Sequence, residues 1–194
     1  MNNLFVNLPF LKRIIPSLRR RIRVFFNKRK FWTKINGIFY LIDIQDKLER
    51  EFYFKKKYEE DNFNFISSHT FFTDPFLFLD IGSNLGIYSL IIAKKFNNCH
   101  KVIAFEPILK TFNKFKLNVK KNLLENKIEA NNVALSDKNT IKKMSSIFKN
   151  GMLQSAVFTI NNEGAISIDT KIFDDLYRYN NQNIFIKCDA EGHE

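Results

Sequence analysis

The sequence of 194 residues contains little cysteine and no long hydrophobic run. Its two cysteines, Cys99 and Cys188, are too few for a disulfide framework and lack the spacing of metal ligands. This usage fits a reducing cytoplasm. No uncharged apolar run approaches the roughly 20 residues that a membrane-spanning helix needs. With 45% hydrophobic and 26% charged residues, the composition predicts an ordinary globular chain, and the length allows one domain with a short extension.

Acidic residues are absent from residues 1–34, which carry ten lysines or arginines. The rest of the chain is nearly neutral, so almost all of the net charge of +11 lies in this N-terminal arm. Apolar residues recur between the charges at helical spacing, which predicts a basic amphipathic helix. Over residues 10–34 such a helix can pack on the domain, lie on an anionic membrane surface such as the inner face of the cell membrane, or contact nucleic acid. Nucleic acid is the least favoured of these three partners.

The rest of the chain alternates between strand and helix patterns. Short continuous apolar runs are typical of strands buried on both faces of a parallel sheet. We assign four such strands, at residues 76–79, at 101–105, within 128–135 and at 184–188. Amphipathic helices are predicted between the first three, over residues 86–96 and 109–124. This order requires right-handed crossovers, so we expect a doubly wound, mostly parallel α/β sheet.

The chain divides into three parts without a long linker. The arm, residues 1–34, is followed by a segment of residues 35–75 that contains a strand-like stretch and a charged helix or loop. A turn signal, Asn36-Gly37, interrupts the strand-like stretch at residues 35–43. Residues 76–194 form the sheet domain, in which residues 138–170 have the pattern of an inserted hairpin.

Doubly wound sheets bind ligands beyond the carboxyl ends of their strands. The first strand leads into a turn, residues 80–86, with two glycines four positions apart. A dinucleotide fingerprint needs glycine at the position of Asn84 to admit a pyrophosphate, so this turn favours a nucleoside without a diphosphate. The carboxylate of Asp80 would repel a phosphate and attract an ammonium group. The second strand ends at Glu106, whose carboxylate can accept hydrogen bonds from both hydroxyls of a ribose.

An adenosine with a positively charged amino acid tail satisfies these features, and S-adenosylmethionine (SAM) is such a molecule. The loop after the third strand would lie against the adenine. The candidate cofactor-binding residues are Asp80, Gly82, Ser83, Asn84, Gly86, Glu106, Pro107, Ala134 and Leu135. The alternative interpretation makes Asp80 and Glu106 solvated or helix-capping acids.

The fourth strand ends in a dense cluster of titratable residues. A carboxylate or imidazole there can draw the proton from an acceptor hydroxyl as a methyl group transfers. Asp189 directly follows the strand and is the best placed catalytic candidate, with Glu191 and His193 as the others. Carboxylates can also hold magnesium, but their spacing does not require a metal. The alternative interpretation is an acid-rich helix start with a solvated histidine.

Three segments together resemble the FkbM-type SAM-dependent methyltransferases, namely residues 78–86, 102–107 and 186–194. The likeness covers about residue 35 to the end, and its last segment is the most specific. Ser83 stands where the family usually has alanine. The resemblance implies a class I, Rossmann-like sheet with the cofactor over its first two strands. It also implies O-methylation of a hydroxyl on a sugar, glycolipid, polysaccharide or small metabolite.

The family pattern implies further strands after the fourth. Without them the fourth strand would be an open sheet edge, so we expect the chain to lack part of the acceptor side of its domain. Two other classes stay open. One is a noncatalytic fragment or basic module that binds a membrane or nucleic acid, and the other is a nucleotide-dependent oxidoreductase, against which Asn84 argues. The sequence predicts neither the acceptor nor the oligomeric state.

Overall fold

The computed structural model describes residues 29–68, 74–149, 152–160, 166–178 and 183–190. Its strands are β1 (Lys30–Ile35), β2 (Ile38–Asp43), β3 (Phe76–Ile81), β4 (Cys99–Phe105), β5 (Ile128–Asn131), β6 (Ala134–Leu135), β7 (Thr140–Lys149), β8 (Met152–Ile160), β9 (Ile166–Lys171) and β10 (Asn183–Cys188). Its helices are α1 (Lys47–Lys55), α2 (Glu60–Ser68), α3 (Ile87–Lys95), α4 (Leu109–Lys121) and α5 (Phe173–Leu176). No helix in these ranges is long and apolar enough to cross a membrane.

The centre of the fold is a parallel sheet with the strand order β10-β3-β4-β5. Strand β3 has the sequence FLFLDI and is buried along almost its whole length, because neighbouring strands and both sheet faces cover it. Helix α3 connects β3 to β4, and α4 connects β4 to β5. The predicted doubly wound α/β class is therefore confirmed.

Side chains of β3 alternate between two hydrophobic cores, as the two-residue period of a strand requires. Phe76 and Phe78 belong to the larger core, which also contains apolar residues of the β1–β2 hairpin, α1 and α3. Leu77 and Leu79 belong to the smaller core on the opposite face. Asp80 follows on the face of Phe76 and Phe78, so its carboxylate is directed into the larger core beside α3.

Helix α4 holds the β1–β2 hairpin through two buried asparagines one helical turn apart. The side-chain oxygen of Asn118 accepts a hydrogen bond from the Leu41 N–H at 2.8 Å, and its amide nitrogen donates to the Leu85 carbonyl at 3.0 Å. The side chain of Asn122 accepts from the Phe39 N–H at 2.9 Å and donates to the Phe39 carbonyl at 2.8 Å. These bonds satisfy an edge of β2 that the hairpin itself leaves unpaired.

Three segments differ in detail from the sequence-based expectations. The strand-like stretch at 35–43 is part of a hairpin, since Asn36 and Gly37 adopt positive φ angles of 50° and 87° and turn the chain. The third predicted strand is split, because β5 pairs with β4 whereas β6 pairs with β9 in a second sheet. The insert contains two antiparallel pairings, β7 with β8 and β7 with β9, instead of one hairpin.

The two ends of the described chain also differ from expectation. Residues 30–34 of the predicted amphipathic helix form β1, so the helix prediction is wrong there, and the predicted helix before residue 29 lies outside the described residues. Strand β10 is not buried on both faces as predicted. Ile186 is 54% exposed because β10 lies at the edge of the four-stranded sheet, and none of the described residues covers that end of its face.

Candidate functional site

A pocket of about 700 Å³ opens at the carboxyl ends of the parallel strands. This volume lies within the roughly 300–1,000 Å³ that is usual for small-molecule sites. Seven of the nine predicted cofactor-binding residues line it, together with Asp189. The seven are Gly82, Ser83, Asn84, Glu106, Pro107, Ala134 and Leu135.

The turn between β3 and α3 forms the first wall of the pocket. Gly82 has a φ of 73°, and a Cβ at this position would lie 2.0 Å from the carbonyl oxygen of Asp189. The N–H groups of Gly82 and Ser83 donate to the Phe105 carbonyl at 3.0 and 2.9 Å. The turn therefore binds the tips of β10, β3 and β4 to one another, and only glycine allows this close approach.

Glu106 lies at the tip of β4 and lines the pocket. One of its carboxylate oxygens accepts from the Asn84 N–H and the other from the Ile108 N–H, both at 2.9 Å. The side chain is almost fully buried, and this burial raises the pKa of the carboxyl to about 7, although the two N–H donors oppose the rise. Each oxygen keeps a further lone pair, so an oriented carboxylate is available to two neighbouring hydroxyls.

Asp80 and Gly86 do not line the pocket but lie behind the turn. Asp80 is fully buried, and one of its oxygens accepts from the Ser89 N–H at 3.1 Å and from the Ser89 hydroxyl at 2.6 Å. Burial raises the pKa of Asp80, whereas the nearby ammonium of Lys187 lowers it. Gly86 begins α3 at a point where a Cβ would lie 2.1 Å from the ring of Phe115. Both residues support the turn from behind, and their direct contact with a cofactor stays a prediction.

Lys187, on β10, is a pocket residue that sequence reasoning missed. Its ammonium donates to the Gly82 carbonyl at 2.9 Å and lies 3.5 Å from a carboxylate oxygen of Asp80 and 3.5 Å from one of Asp189. A lysine inside an apolar strand run was the available signal, because a charge at a half-buried position needs a partner.

Residues from outside the sheet add an aromatic corner, formed by Tyr58 and Tyr88, which sequence reasoning also missed. The Tyr88 hydroxyl donates to a carboxylate oxygen of Glu59 at 2.6 Å, and the Asn62 side chain donates to the same oxygen at 2.9 Å. Burial, followed by the neighbouring Glu59 carboxylate, raises the pKa of Tyr58 far above its ordinary value. These contacts join segments that are distant in sequence, so no local spacing predicts them.

The inserted sheet closes the opposite side of the pocket. Met144 and Ile168 pack with Ile108 in a small core against which Ala134 also packs, and all four line the cavity. Because β10 and β5 are at opposite edges of the parallel sheet, Ala134 and Asp189 lie at opposite ends of the pocket. The Asp189 end is therefore charged, whereas the Ala134 end is mainly apolar, although Asp137 and Lys142 also line the pocket.

The chemistry of this lining fits an adenosine with a charged tail. Ser83 lines the pocket, and its hydroxyl is buried and has no hydrogen-bond partner among the described residues. Such a hydroxyl costs free energy until a ligand or water bonds to it. A second buried atom, one oxygen of Asp80, also lacks a hydrogen bond, but the ammonium of Lys187 at 3.5 Å offsets its charge. Ser83 is therefore the pocket residue whose hydroxyl is left unsatisfied by the described residues.

Of the three catalytic candidates, only Asp189 lies within the described residues. Its side chain is 53% exposed and stands at the charged end of the pocket. Glu191 and His193 lie outside the described ranges. In the part of the chain that the structure describes, no group of three or more acidic, histidine or cysteine side chains could hold a metal ion.

Part of the chain is similar to several solved structures. TYW2 of Methanocaldococcus jannaschii, in complex with AdoMet, is 15% identical over 53% of this chain and 42% of its own, with a TM-score of 0.36. The tRNA m1G37 methyltransferase of M. jannaschii is 19% identical over 56% and 31% of the two chains, with a TM-score of 0.37. TYW2 of Pyrococcus horikoshii, in complex with MeSAdo, is 12% identical over 72% and 67%, with a TM-score of 0.40. The chain spans less than half the length of the two M. jannaschii proteins.

The family comparison covers the region that builds the pocket. Residues 80–194, more than half of the chain, match the family model for the methyltransferase FkbM domain. No curated protein sequence gives a significant match. The family match confirms the predicted resemblance and SAM as the cofactor of this family. The chain belongs to the family of FkbM-domain methyltransferases.

Proposed function

We propose that the chain is an O-methyltransferase that acts on a hydroxyl of a sugar, glycolipid, polysaccharide or small metabolite. The observation that best supports the cofactor half of this proposal is the carboxylate of Glu106, which two backbone N–H groups orient at the edge of the pocket. Beside it, the side chain of Asn84 occupies the place where a dinucleotide site needs glycine. A site of this kind favours a nucleoside that carries no diphosphate.

The residues that would hold the cofactor follow from their order along the strand tips. Glu106 would accept hydrogen bonds from the two ribose hydroxyls, and Ala134 and Leu135 would lie against the adenine. Gly82 and the charged end of the pocket would hold the amino acid tail. When bound there, SAM supplies an electrophilic methyl group on a positively charged sulfur.

Asp189 would accept the proton of the acceptor hydroxyl while the new oxygen–carbon bond forms and the methyl–sulfur bond breaks, with the neutral thioether as the leaving group. Its half-exposed carboxylate lies where an acceptor can enter, and its main chain is held against Gly82 and Ile81. Alignment of the acceptor oxygen and removal of its proton are the two contributions this chain makes to the displacement. Loss of a general base typically lowers a rate by about 100- to 10,000-fold.

Calorimetric titration of the full chain with S-adenosylhomocysteine (SAH) and with NAD tests the cofactor half of the proposal. We expect SAH to bind and NAD not to bind. Binding of NAD alone would favour an oxidoreductase. Membrane or RNA binding that is lost on deletion of residues 1–34, without SAH affinity, would favour a noncatalytic basic module.

The acceptor half is tested with tritiated methyl groups. Methyl transfer from labelled SAM to a panel of methyl glycosides should give a product whose label resists mild base, as an ether does and an ester does not. Asp189→Asn should lower that transfer at least 100-fold while SAH affinity stays within a few fold. Full turnover by this variant would remove Asp189 as the base.

A further inference from the structure

Lys187 joins the tips of the neighbouring strands β3 and β10. Its ammonium lies 2.9 Å from the Gly82 carbonyl oxygen and 3.4 Å from that of Ile81. It also lies 3.5 Å from the nearest carboxylate oxygen of Asp80 and 3.5 Å from that of Asp189. The ammonium therefore contacts the turn, a core carboxylate and a pocket carboxylate at the same time.

The two carboxylates beside Lys187 have different surroundings. Asp80 is fully buried, and Ser89 occupies the oxygen that does not face Lys187. Asp189 is half exposed, and among the described residues its ion pair is with Lys187. The Lys187 ammonium thus connects the Asp80 carboxylate, which the core holds in place, with the Asp189 carboxylate, which could otherwise rotate toward solvent.

The backbone positions Asp189 only up to its Cα atom. Its N–H donates to the Ile81 carbonyl at 3.1 Å, and Lys187 pairs with Asp80 in the parallel register just before it. The side chain of Asp189 extends beyond the last strand pair. Its direction therefore depends on side-chain contacts, of which Lys187 supplies the charged one.

We propose that Lys187 is a positioning residue, which holds the Asp189 carboxylate toward the end of the pocket where the cofactor sulfur would lie. This inference rests on the proposed function, in which Asp189 faces the reacting methyl group. A lysine that merely balanced the buried charge of Asp80 would have a structural role and no influence on Asp189. A pair of substitutions that conserves net charge separates these two roles.

The measured quantity is the ratio of SAH to SAM dissociation constants. SAM carries a positive sulfur and SAH a neutral one, so the ratio reports the negative potential that the protein places at the sulfur. We expect the wild-type chain to bind SAM more tightly by roughly three- to tenfold, the effect of one nearby carboxylate in a polar pocket. Asp189→Asn should abolish most of this preference.

The double variant Lys187→Met/Asp80→Asn removes one positive and one negative charge and leaves the net charge unchanged. We expect it to lose the preference for SAM as Asp189→Asn does. Adding Asp189→Asn to the double variant should lower the ratio no further, because both changes remove the same interaction. Circular dichroism and thermal melting check that the variants fold. If the double variant does not fold, Lys187→Gln/Asp80→Asn, whose amides can still hydrogen-bond, is measured in its place.

The outcomes separate this inference from the proposed function. A folded double variant that keeps the wild-type ratio, while Asp189→Asn loses it, overturns the positioning role and leaves the proposed function intact. A ratio that Asp189→Asn does not change also overturns the positioning role, since Asp189 then does not face the sulfur. A wild-type chain that binds neither SAM nor SAH overturns the proposed function and the inference together.

Discussion

Replacing Ser83 with alanine should raise the stability of the free protein and weaken the binding of the cofactor. The Ser83 hydroxyl is buried without a hydrogen-bond partner among the described residues, so the substitution removes a desolvated polar group and little else. The gain in unfolding free energy should be about 1 kcal/mol, the low end of the cost of an unsatisfied buried polar group. For a chain of this length that corresponds to a rise in Tm of roughly 2–4 °C.

The cofactor should lose affinity for the same reason. If a ligand atom takes up the Ser83 hydroxyl, its hydrogen bond contributes about 1 kcal/mol, so the Kd for SAH should rise roughly fivefold in Ser83→Ala. A purely structural serine cannot give this combination, because its loss would lower Tm and would affect binding only through instability.

Ser89 provides a matched control further along the chain. Its hydroxyl is also fully buried but donates to Asp80 at 2.6 Å. Ser89→Ala should therefore lower the free energy of unfolding by about 1.5–3 kcal/mol, as expected for a hydrogen bond to a charged group. Thermal melting followed by circular dichroism measures both variants, and calorimetry gives the SAH affinity. A Ser83→Ala variant with a lower Tm, or with wild-type SAH affinity, would refute the reasoning.

Three further predictions concern other parts of the site. Stability to urea should fall between about pH 4.5 and about 7, because native Glu106 binds its proton more tightly than the unfolded chain does, and Glu106→Gln should flatten this slope. Gly82→Ala should lower Tm and SAH affinity together, because its Cβ would lie 2.0 Å from the Asp189 carbonyl oxygen. An unchanged Tm would show that this Cβ does not clash with the Asp189 carbonyl. Asn122→Ala should speed hydrogen exchange at the Phe39 amide and reduce unfolding free energy by about 1–3 kcal/mol, measured by exchange and by urea titration.

Local patterns are enough to predict the sheet and the residues at its strand tips. Apolar runs mark β3 and β4, and polar residues directly after them have to meet at one sheet edge because parallel strands end together. The sequence alone therefore brings the 82–84 turn, Glu106 and Asp189 to one pocket. The two-residue period of a strand also predicts on which face of the sheet a residue at the strand tip lies. It does not predict how deeply that residue is buried.

The remaining features depend on contacts between distant segments. Asp80 lies behind the turn, where α3 supplies Ser89 as its hydrogen-bond donor, and its contact with a cofactor stays a prediction. Lys187 contacts two carboxylates at the ends of different strands, β3 and β10. In the aromatic corner, the Tyr88 hydroxyl bonds to the carboxylate of Glu59, which is distant in sequence. The split of the third predicted strand into β5 and β6 follows from pairing with β9, which lies about thirty residues later in the chain.

The side-chain amide of Asn118 has two hydrogen-bond partners, the Leu41 N–H of the hairpin and the Leu85 carbonyl of the pocket turn. If a ligand pulls the turn inward, either the Asn118 side chain moves with the turn or one of its two hydrogen bonds breaks. In that case Asn118 would couple occupancy of the pocket to solvent access at the hairpin edge. Deuterium uptake at the Leu41 backbone amide would then report whether a ligand fills the pocket, although Leu41 does not line it.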